Sequence, residues 1–193
     1  MLIDRCFADN PVESAYSFAD GGGLILNTAT VTNDIFHAQN TLTHRILGPK
    51  SQATIELNLT NMAKGDRAGL SLFRDHLAYL SYEDGNLSLW KNASLDSSDD
   101  WNTLSIGEVS DSVDLPDLDC IWMRLQADID PASDGLGTFF YSTDGKSFDQ
   151  IGTPYAMNTT YYFFTGYRYG IFNFATEALG GSVTVNSFEQ ELV

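Results

Sequence analysis

Basic residues are scarce in this sequence. Only 10 lysines and arginines stand against 26 aspartates and glutamates in 193 residues, so the formal net charge is −16 at pH 7. A charge of this size and sign repels phosphate backbones and anionic lipids, so neither nucleic acid nor a membrane surface is an expected partner. A neutral ligand is indifferent to this charge, whereas an anionic ligand would need a local basic site.

Cysteine, histidine and long apolar runs are scarce as well. The two cysteines, Cys6 and Cys120, allow either one disulfide or two buried thiols, and both alternatives stay open. The three histidines show no metal-ligand spacing. No apolar run approaches the roughly 18 residues that span a bilayer.

Alternation of apolar and polar residues is abundant. In 52–60 and in 121–129 every second residue is apolar, which is typical of half-buried strands, whereas no helical apolar stripe is longer than two turns. Asp84-Gly85 and Asp144-Gly145 separate such runs and predict type I′ hairpins. The sequence therefore predicts an all-β fold, an antiparallel two-sheet β-sandwich or jelly roll, in a single domain spanning 1–193.

The polar face of the 121–129 strand carries unusual residues for a solvated sheet surface. Trp122, Arg124 and Gln126 project together, roughly 6–7 Å apart along the strand. An indole stacks on the apolar face of a sugar ring, and arginine and glutamine bridge its hydroxyls. The alternative is that a loop covers Trp122 while Arg124 pairs with a carboxylate of the same chain.

Two further segments combine polar and apolar residues with strand parity. In 40–45, Arg45 shares a face with two threonines, whereas His44 falls with the apolar residues and is expected to be a core histidine rather than a base. In 65–70, Asp66 is expected to pair with Arg67 or to orient another arginine.

The segment 165–173 concentrates aromatics, an arginine and an asparagine, without an obvious nucleophile and base. Parity places Tyr167, Tyr169, Ile171 and Asn173 on one face and Arg168, Gly170 and Phe172 on the other. Because both faces carry apolar residues, the choice of the face that meets a ligand stays open.

The loop 128–135 clusters carboxylates but fails the spacing of a calcium-binding loop. A structural calcium in the sandwich stays open, and no other cofactor is expected.

Four sequence blocks resemble, in the right order, the C-terminal domain of family 43 glycoside hydrolases. They are 38–45 (AQNTLTHR) with Gly48-Pro49, 65–70 (GDRAGL), 140–146 (FYSTDGK), and 167–173 (YRYGIFN) with Gly180-Gly181. The resemblance covers roughly residues 14–190. It implies a concanavalin A-like β-sandwich that is similar to carbohydrate-binding module family 91, with xylan as the associated polysaccharide.

The resemblance implies a non-catalytic carbohydrate-binding domain for xylan or arabinoxylan-type β-glycans, because the catalytic carboxylates of the family lie in a separate propeller. The predicted carbohydrate-binding residues are Trp122, Arg124, Gln126, Arg45, Tyr167 and Arg168. The expected partners are an oligo- or polysaccharide and either a catalytic domain or a second copy of the chain. A hydrolase module would be secreted, but no signal peptide is visible, so a cytoplasmic location also stays open.

Two alternatives to carbohydrate binding remain. The first is a stand-alone enzyme that uses the sandwich cleft, either like a polysaccharide lyase or on a small hydrophobic metabolite. The second is a structural accessory domain whose aromatic face packs against a catalytic domain.

Overall fold

The computed structural model describes residues 6–7, 11–163 and 165–193, with only the backbone of Cys6 and Phe7. Within these residues the chain forms two β-sheets and two short 3₁₀ helices, Glu13–Ala15 and Ile35–His37. Adjacent strands in both sheets run antiparallel. The all-β prediction is confirmed, and none of the described helices is long and apolar enough to cross a bilayer.

The order of the strands in space differs from their order in the chain. The seven-stranded sheet consists, in spatial order, of β1 (Cys6–Phe7), β4 (Leu42–Arg45), β14 (Arg168–Ala175), β6 (Asp66–Phe73), β7 (His76–Glu83), β8 (Asn86–Asp96) and β9 (Asn102–Asp114). The eight-stranded sheet consists of β12 (Asp149–Gln150), β11 (Leu136–Ser142), β10 (Cys120–Asp128), β5 (Lys50–Asn58), β15 (Ser182–Leu192), β3 (Leu24–Asn27) and β2 (Tyr16–Phe18), with β13 (Tyr155–Ala156) paired to β11.

The core lies between the two sheets and follows the alternation in the sequence. Strand β10 buries every second residue and β5 does so from Ala53 onward, as 121–129 and 52–60 predicted, whereas Gln52 is buried as well. Two polar contacts cross this core: the Tyr169 hydroxyl donates to the Ser51 carbonyl at 2.9 Å, and Asn173 Nδ2 donates to the Leu26 carbonyl at 2.8 Å. Both hydrogen bonds join one sheet to the other, although Asn173 Oδ1 is buried without a partner.

The two predicted hairpin turns differ in the structure. Asp84 and Gly85 have φ values of +47° and +82°, as a type I′ turn requires. At the second turn Gly145 has φ +69°, but Asp144 does not enter the left-handed region. The prediction is wrong there because the Asp144 carboxylate accepts from the backbone N–H groups of Lys146 and Ser147, which closes a longer loop.

The charged residues of 65–70 have partners other than the expected ones. Asp66 does not pair with Arg67; its carboxylate accepts from the Ala63 N–H at 2.8 Å. Arg67 instead pairs with Glu83 at 2.7 Å and lies 4.5 Å from the centre of the Trp90 ring. Asp66 and Arg67 are neighbours on one strand, so their side chains point to opposite faces of the sheet. Arg67 therefore pairs with Glu83 on the adjacent strand β7.

The outer face of the seven-stranded sheet is partly covered by the chain itself. The segment that contains the 3₁₀ helix Ile35–His37 packs onto this face and completes a second buried apolar cluster. The members of this cluster are Ile35, Ala38, Leu77, Tyr79, Ala93, Phe172 and Phe174. This cluster does not extend to the end of the face at which β4 ends and β14 begins.

Cys120 carries a free thiol, so it is not in a disulfide. The side chain of Cys6 lies outside the described residues. Burial and the negative charge of Glu56, whose Oε1 lies 3.5 Å from Sγ, together raise the pKa of the Cys120 thiol to about 11. The thiolate is therefore a minor species at neutral pH.

We expect Cys120 to alkylate slowly and Glu56→Gln to speed the reaction. In a Cys6→Ser background, the rate with iodoacetamide at about pH 8 should be at least about tenfold below that of a free thiol, since only the thiolate attacks. Removing the Glu56 charge lowers the pKa and should raise the rate several-fold. Equal rates with and without the Glu56 charge would contradict this account.

Candidate functional site

The predicted cluster on β10 lies on the outer face of the eight-stranded sheet, and its polar groups contact neighbouring residues. The Arg124 guanidinium lies 3.6 Å from the centre of the Phe148 ring, and its Nε donates to Thr54 Oγ1 at 2.9 Å. Gln126 Nε2 donates to Gln52 Oε1 at 2.9 Å. These side chains share a face as predicted, but part of their hydrogen-bonding capacity is used within the sheet.

Trp122 lies against the loop that joins β11 to β12. A Cβ added to Gly145 would come within 2.9 Å of the indole carbon Cε2, so the backbone of this loop packs directly on the ring. The indole is half-buried as a result. One face of Trp122 thus has a partner from the chain, which matches the alternative that a loop covers it.

Arg45 and Arg168 lie on the other sheet and form a second cluster. They are direct cross-strand partners in β4 and β14 and lie on the same, outer face of the seven-stranded sheet. Directly opposed residues have Cβ atoms about 5 Å apart. The predicted site residues therefore divide into two groups on different sheets, and the role of each group in sugar binding stays a prediction.

The two arginines of this second cluster differ from the other described arginines. Arg67 and Arg74 pair with carboxylates, and Arg124 stacks on an aromatic ring. Arg45 and Arg168 have no carboxylate within 4.0 Å among the described residues. Their guanidinium groups are thus available to a ligand.

A cleft of about 800 Å³ lies beside these two arginines. Its walls come from the strand ends around Arg45 and Arg168, from Ile129, and from the loop 158–167. The cleft is large enough for a few sugar units.

Arg74 holds the loop 158–167 in place. Its guanidinium donates to the carbonyls of Thr165 and Phe163, both at 3.0 Å, and to those of Asn158 and Thr160. The side chain is 5% exposed. A planar guanidinium with five N–H groups can serve several carbonyls at once, so one residue fixes the course of a loop whose described residues form neither helix nor strand.

Tyr167 lines the cleft, but its hydroxyl is already bonded. It accepts from the Asn158 N–H at 2.8 Å and lies 3.4 Å from the Tyr155 hydroxyl. Burial raises the pKa of Tyr167 above its ordinary value. We therefore expect Tyr167 to shape the cleft wall rather than to donate to a sugar.

Two aromatics that the sequence analysis did not select are the most exposed among the described aromatics of the loop. Tyr161 and Tyr162 are 83% and 68% exposed, and their ring centres lie 4.8 Å apart. The signal was present in the sequence as four consecutive aromatics at 161–164, in a segment without strand alternation. The two rings do not line the cleft beside Arg45 and Arg168, whose described aromatic lining residues are Phe163 and Tyr167; Tyr162 lines a separate small pocket with Trp101.

His44 lies on the inner face of β4, as its parity predicted. Its ring centre is 5.0 Å from that of Phe188, across a mostly apolar groove of about 500 Å³ between the sheets. Tyr169 lines the same groove, but its hydroxyl donates to the Ser51 carbonyl. The Tyr169 hydroxyl is thus held by a hydrogen bond in the core. This arrangement does not favour Tyr169 and His44 as the acid and base of a lyase-like active site.

Carboxylates of the loop 128–135 accept hydrogen bonds from the backbone of the same loop. Asp128 accepts from the Asp130 N–H at 3.2 Å, and Asp130 accepts from the Ala132 N–H at 2.9 Å. Within the described residues, no group of three or more histidines, cysteines or carboxylates is placed to hold a metal ion.

Comparison with solved structures shows the same architecture in family 43 glycoside hydrolases. A glycoside hydrolase of this family, engineered to display both endo-xylanase and exo-arabinofuranosidase activity, is 39% identical with a TM-score of 0.92; the match covers 97% of this chain and 38% of that one. A bifunctional protein from Bacteroides eggerthii, described as GH43-CE, is 26% identical with a TM-score of 0.83, over 96% and 24% of the two chains. This chain thus spans less than two fifths of either protein.

More distant matches share only the fold. An alginate lyase of polysaccharide lyase family 7 is 10% identical with a TM-score of 0.58, over 95% of this chain and 85% of that one. None of the curated proteins compared with the sequence matches it.

The two antiparallel sheets and their connections define a concanavalin A-like sandwich. The family model of the β-xylosidase C-terminal concanavalin A-like domain matches residues 5–191. The chain belongs to this family of accessory domains of family 43 glycoside hydrolases, which confirms the resemblance seen in the sequence.

Proposed function

We propose that the chain is a non-catalytic carbohydrate-binding domain and that its cleft beside the loop 158–167 binds a xylan-type β-glycan. The observation that carries this proposal is the pair of guanidinium groups, Arg45 and Arg168, beside an 800 Å³ cleft, for which no described residue supplies a carboxylate partner. Family membership supports the class of ligand, because the 39% identical protein is described as having endo-xylanase activity.

The chemistry of the cleft suits a neutral sugar chain. The rings of Phe163 and Tyr167, which line the cleft, can stack on the C–H faces of pyranose rings. The Arg168 guanidinium can donate two parallel hydrogen bonds to neighbouring sugar oxygens. A few such contacts give dissociation constants in the micromolar to millimolar range.

Calorimetry with xylohexaose tests this assignment. We expect heat of binding with the unchanged protein, and dissociation constants at least about tenfold higher for Arg168→Gln and for Arg45→Gln, since each loses about 1.4 kcal/mol of contact. Arg124→Gln is the matched control, because it removes an arginine from the other sheet.

The outcomes separate the two predicted clusters. Loss of binding in Arg124→Gln or Trp122→Ala, with none in Arg168→Gln, would move the site to the outer face of the eight-stranded sheet. No heat with xylohexaose or arabinoxylan would contradict the binding function.

We also propose that a family 43 catalytic domain is the protein partner. The support is that the matched structures are far longer than the region that resembles this chain, which spans 38% and 24% of them. Light scattering of the purified chain tests the alternative partner, a second copy: a mass of twice 21.3 kDa would favour the homodimer instead.

A further inference from the structure

The basic character of the cleft is unexpected in so acidic a protein. Three arginines, Arg45, Arg74 and Arg168, line it, and none of the described residues that line it is acidic. The chain carries 26 acidic side chains against 10 basic ones. A cleft without carboxylates therefore has a local positive potential within a negative overall field.

The arrangement of Arg45 and Arg168 has an energetic cost. Like charges directly opposite each other on neighbouring strands repel and destabilise the pairing. The Asp75 carboxylate does not relieve this repulsion, because it is paired with Arg74 at 3.3 Å. Two guanidinium groups held side by side without a counter-charge are the arrangement that a carboxylate would neutralise.

We propose that the Arg45–Arg168 pair recognises the carboxylate of a uronic-acid side group on an otherwise neutral β-glycan. This inference rests on the proposed function, since the neutral chain would occupy the same cleft. Hydrogen bonds to hydroxyls alone do not require two adjacent positive charges, whereas a carboxylate accepts from both guanidinium groups at once.

The net charge of the protein limits which anions suit the site. A polyanion, such as a polyuronate or a nucleic acid, meets the repulsion of the −16 charge along its whole length. A single carboxylate on a neutral chain meets mainly the local field of the cleft, because salt screens charges farther than about 8–10 Å. The ligand class is thus a xylan with isolated uronic-acid substituents.

A set of matched oligosaccharides tests the proposal. Calorimetry compares a xylo-oligosaccharide that carries one glucuronic acid, the same compound with its carboxyl reduced to an alcohol, and the unsubstituted chain. We expect the acidic compound to bind about tenfold more tightly than its reduced form, and about 0.5 M NaCl to remove most of the difference.

Variants assign the effect to the two arginines. In the double variant Arg45→Gln/Arg168→Gln, the ratio of the dissociation constants of the reduced and the acidic compound should fall to about one. In Arg124→Gln this ratio should stay at about ten. Equal binding of the acidic and the reduced compound by the unchanged protein would overturn the inference and leave the proposed function intact. No binding of any of the three would contradict both. Tighter binding of an alginate oligomer than of the acidic xylan would overturn the ligand class.

Discussion

Gly69→Ala is expected to destabilise the fold severely. A Cβ at this position would lie 1.9 Å from the carbonyl oxygen of Leu80 and 3.1 Å from Cζ of Phe172. Gly69 lies in the interior of β6, paired to Phe172 on one side and to Ser81 on the other, so the backbone cannot move without breaking the ladder. A close-packed interior does not absorb such an overlap, and we expect a loss above about 4 kcal/mol.

Thermal unfolding followed by circular dichroism measures this effect. A domain of this size has a total stability of roughly 5–15 kcal/mol, so the variant should be recovered unfolded or melt far below the unchanged protein. Gly21→Ala is the matched control, because an added Cβ there has no atom within 4 Å and the residue has no positive φ. A cooperative transition of Gly69→Ala within a few degrees of the control would show that the sheet can yield at this point.

The alternation of single strands could be predicted from the sequence because it is a local property. The inward position of His44 and the shared face of Trp122, Arg124 and Gln126 follow from the period of two alone. The structure agrees with each of these predictions.

The grouping of the site residues could not be predicted in the same way. Arg45 and Arg168 are 123 positions apart in the chain, and their adjacency depends on the register of β4 on β14. Trp122 seemed to belong with them, but it lies on the other sheet. Chemical similarity of side chains says nothing about which sheet carries them, and strand order is set by contacts across the whole fold.

The loop of the candidate site was missed for a further reason. Residues 158–167 show no alternation, so their position depends on Arg74, which lies more than 80 residues earlier in the sequence. A buried arginine that bonds to carbonyls leaves no pattern in the segment that it organises, because backbone carbonyls are present at every residue.

Arg74→Met is expected to destabilise the domain and to remove the cleft. The guanidinium is buried, donates to four carbonyls of the loop and lies 3.3 Å from the buried Asp75 carboxylate. Methionine fills a similar volume but leaves Asp75 without its arginine partner and the carbonyls without a donor. Loss of one partner of a buried ion pair costs about 3–5 kcal/mol.

Arg74→Lys separates the charge from the geometry. The ammonium can still face Asp75, but it has three N–H groups on a flexible stem instead of a planar fork. We expect the lysine variant to regain part of the stability in urea unfolding while hydrogen exchange in 158–167 stays faster than in the unchanged protein. Arg45→Met, at an exposed position, should change the free energy of unfolding by less than about 0.5 kcal/mol.

The same variants connect the loop to the proposed function. Arg74 is buried and its N–H groups are turned to the loop, so its effect on xylohexaose binding should come through the position of Phe163 and Tyr167, the loop aromatics that line the cleft. Arg74→Lys should therefore weaken sugar binding by about tenfold or more at a temperature where it is fully folded, in proportion to the faster exchange of the loop. If the folded lysine variant binds xylohexaose as tightly as the unchanged protein, the loop does not form the binding surface, and the site must be sought on the outer face of the eight-stranded sheet.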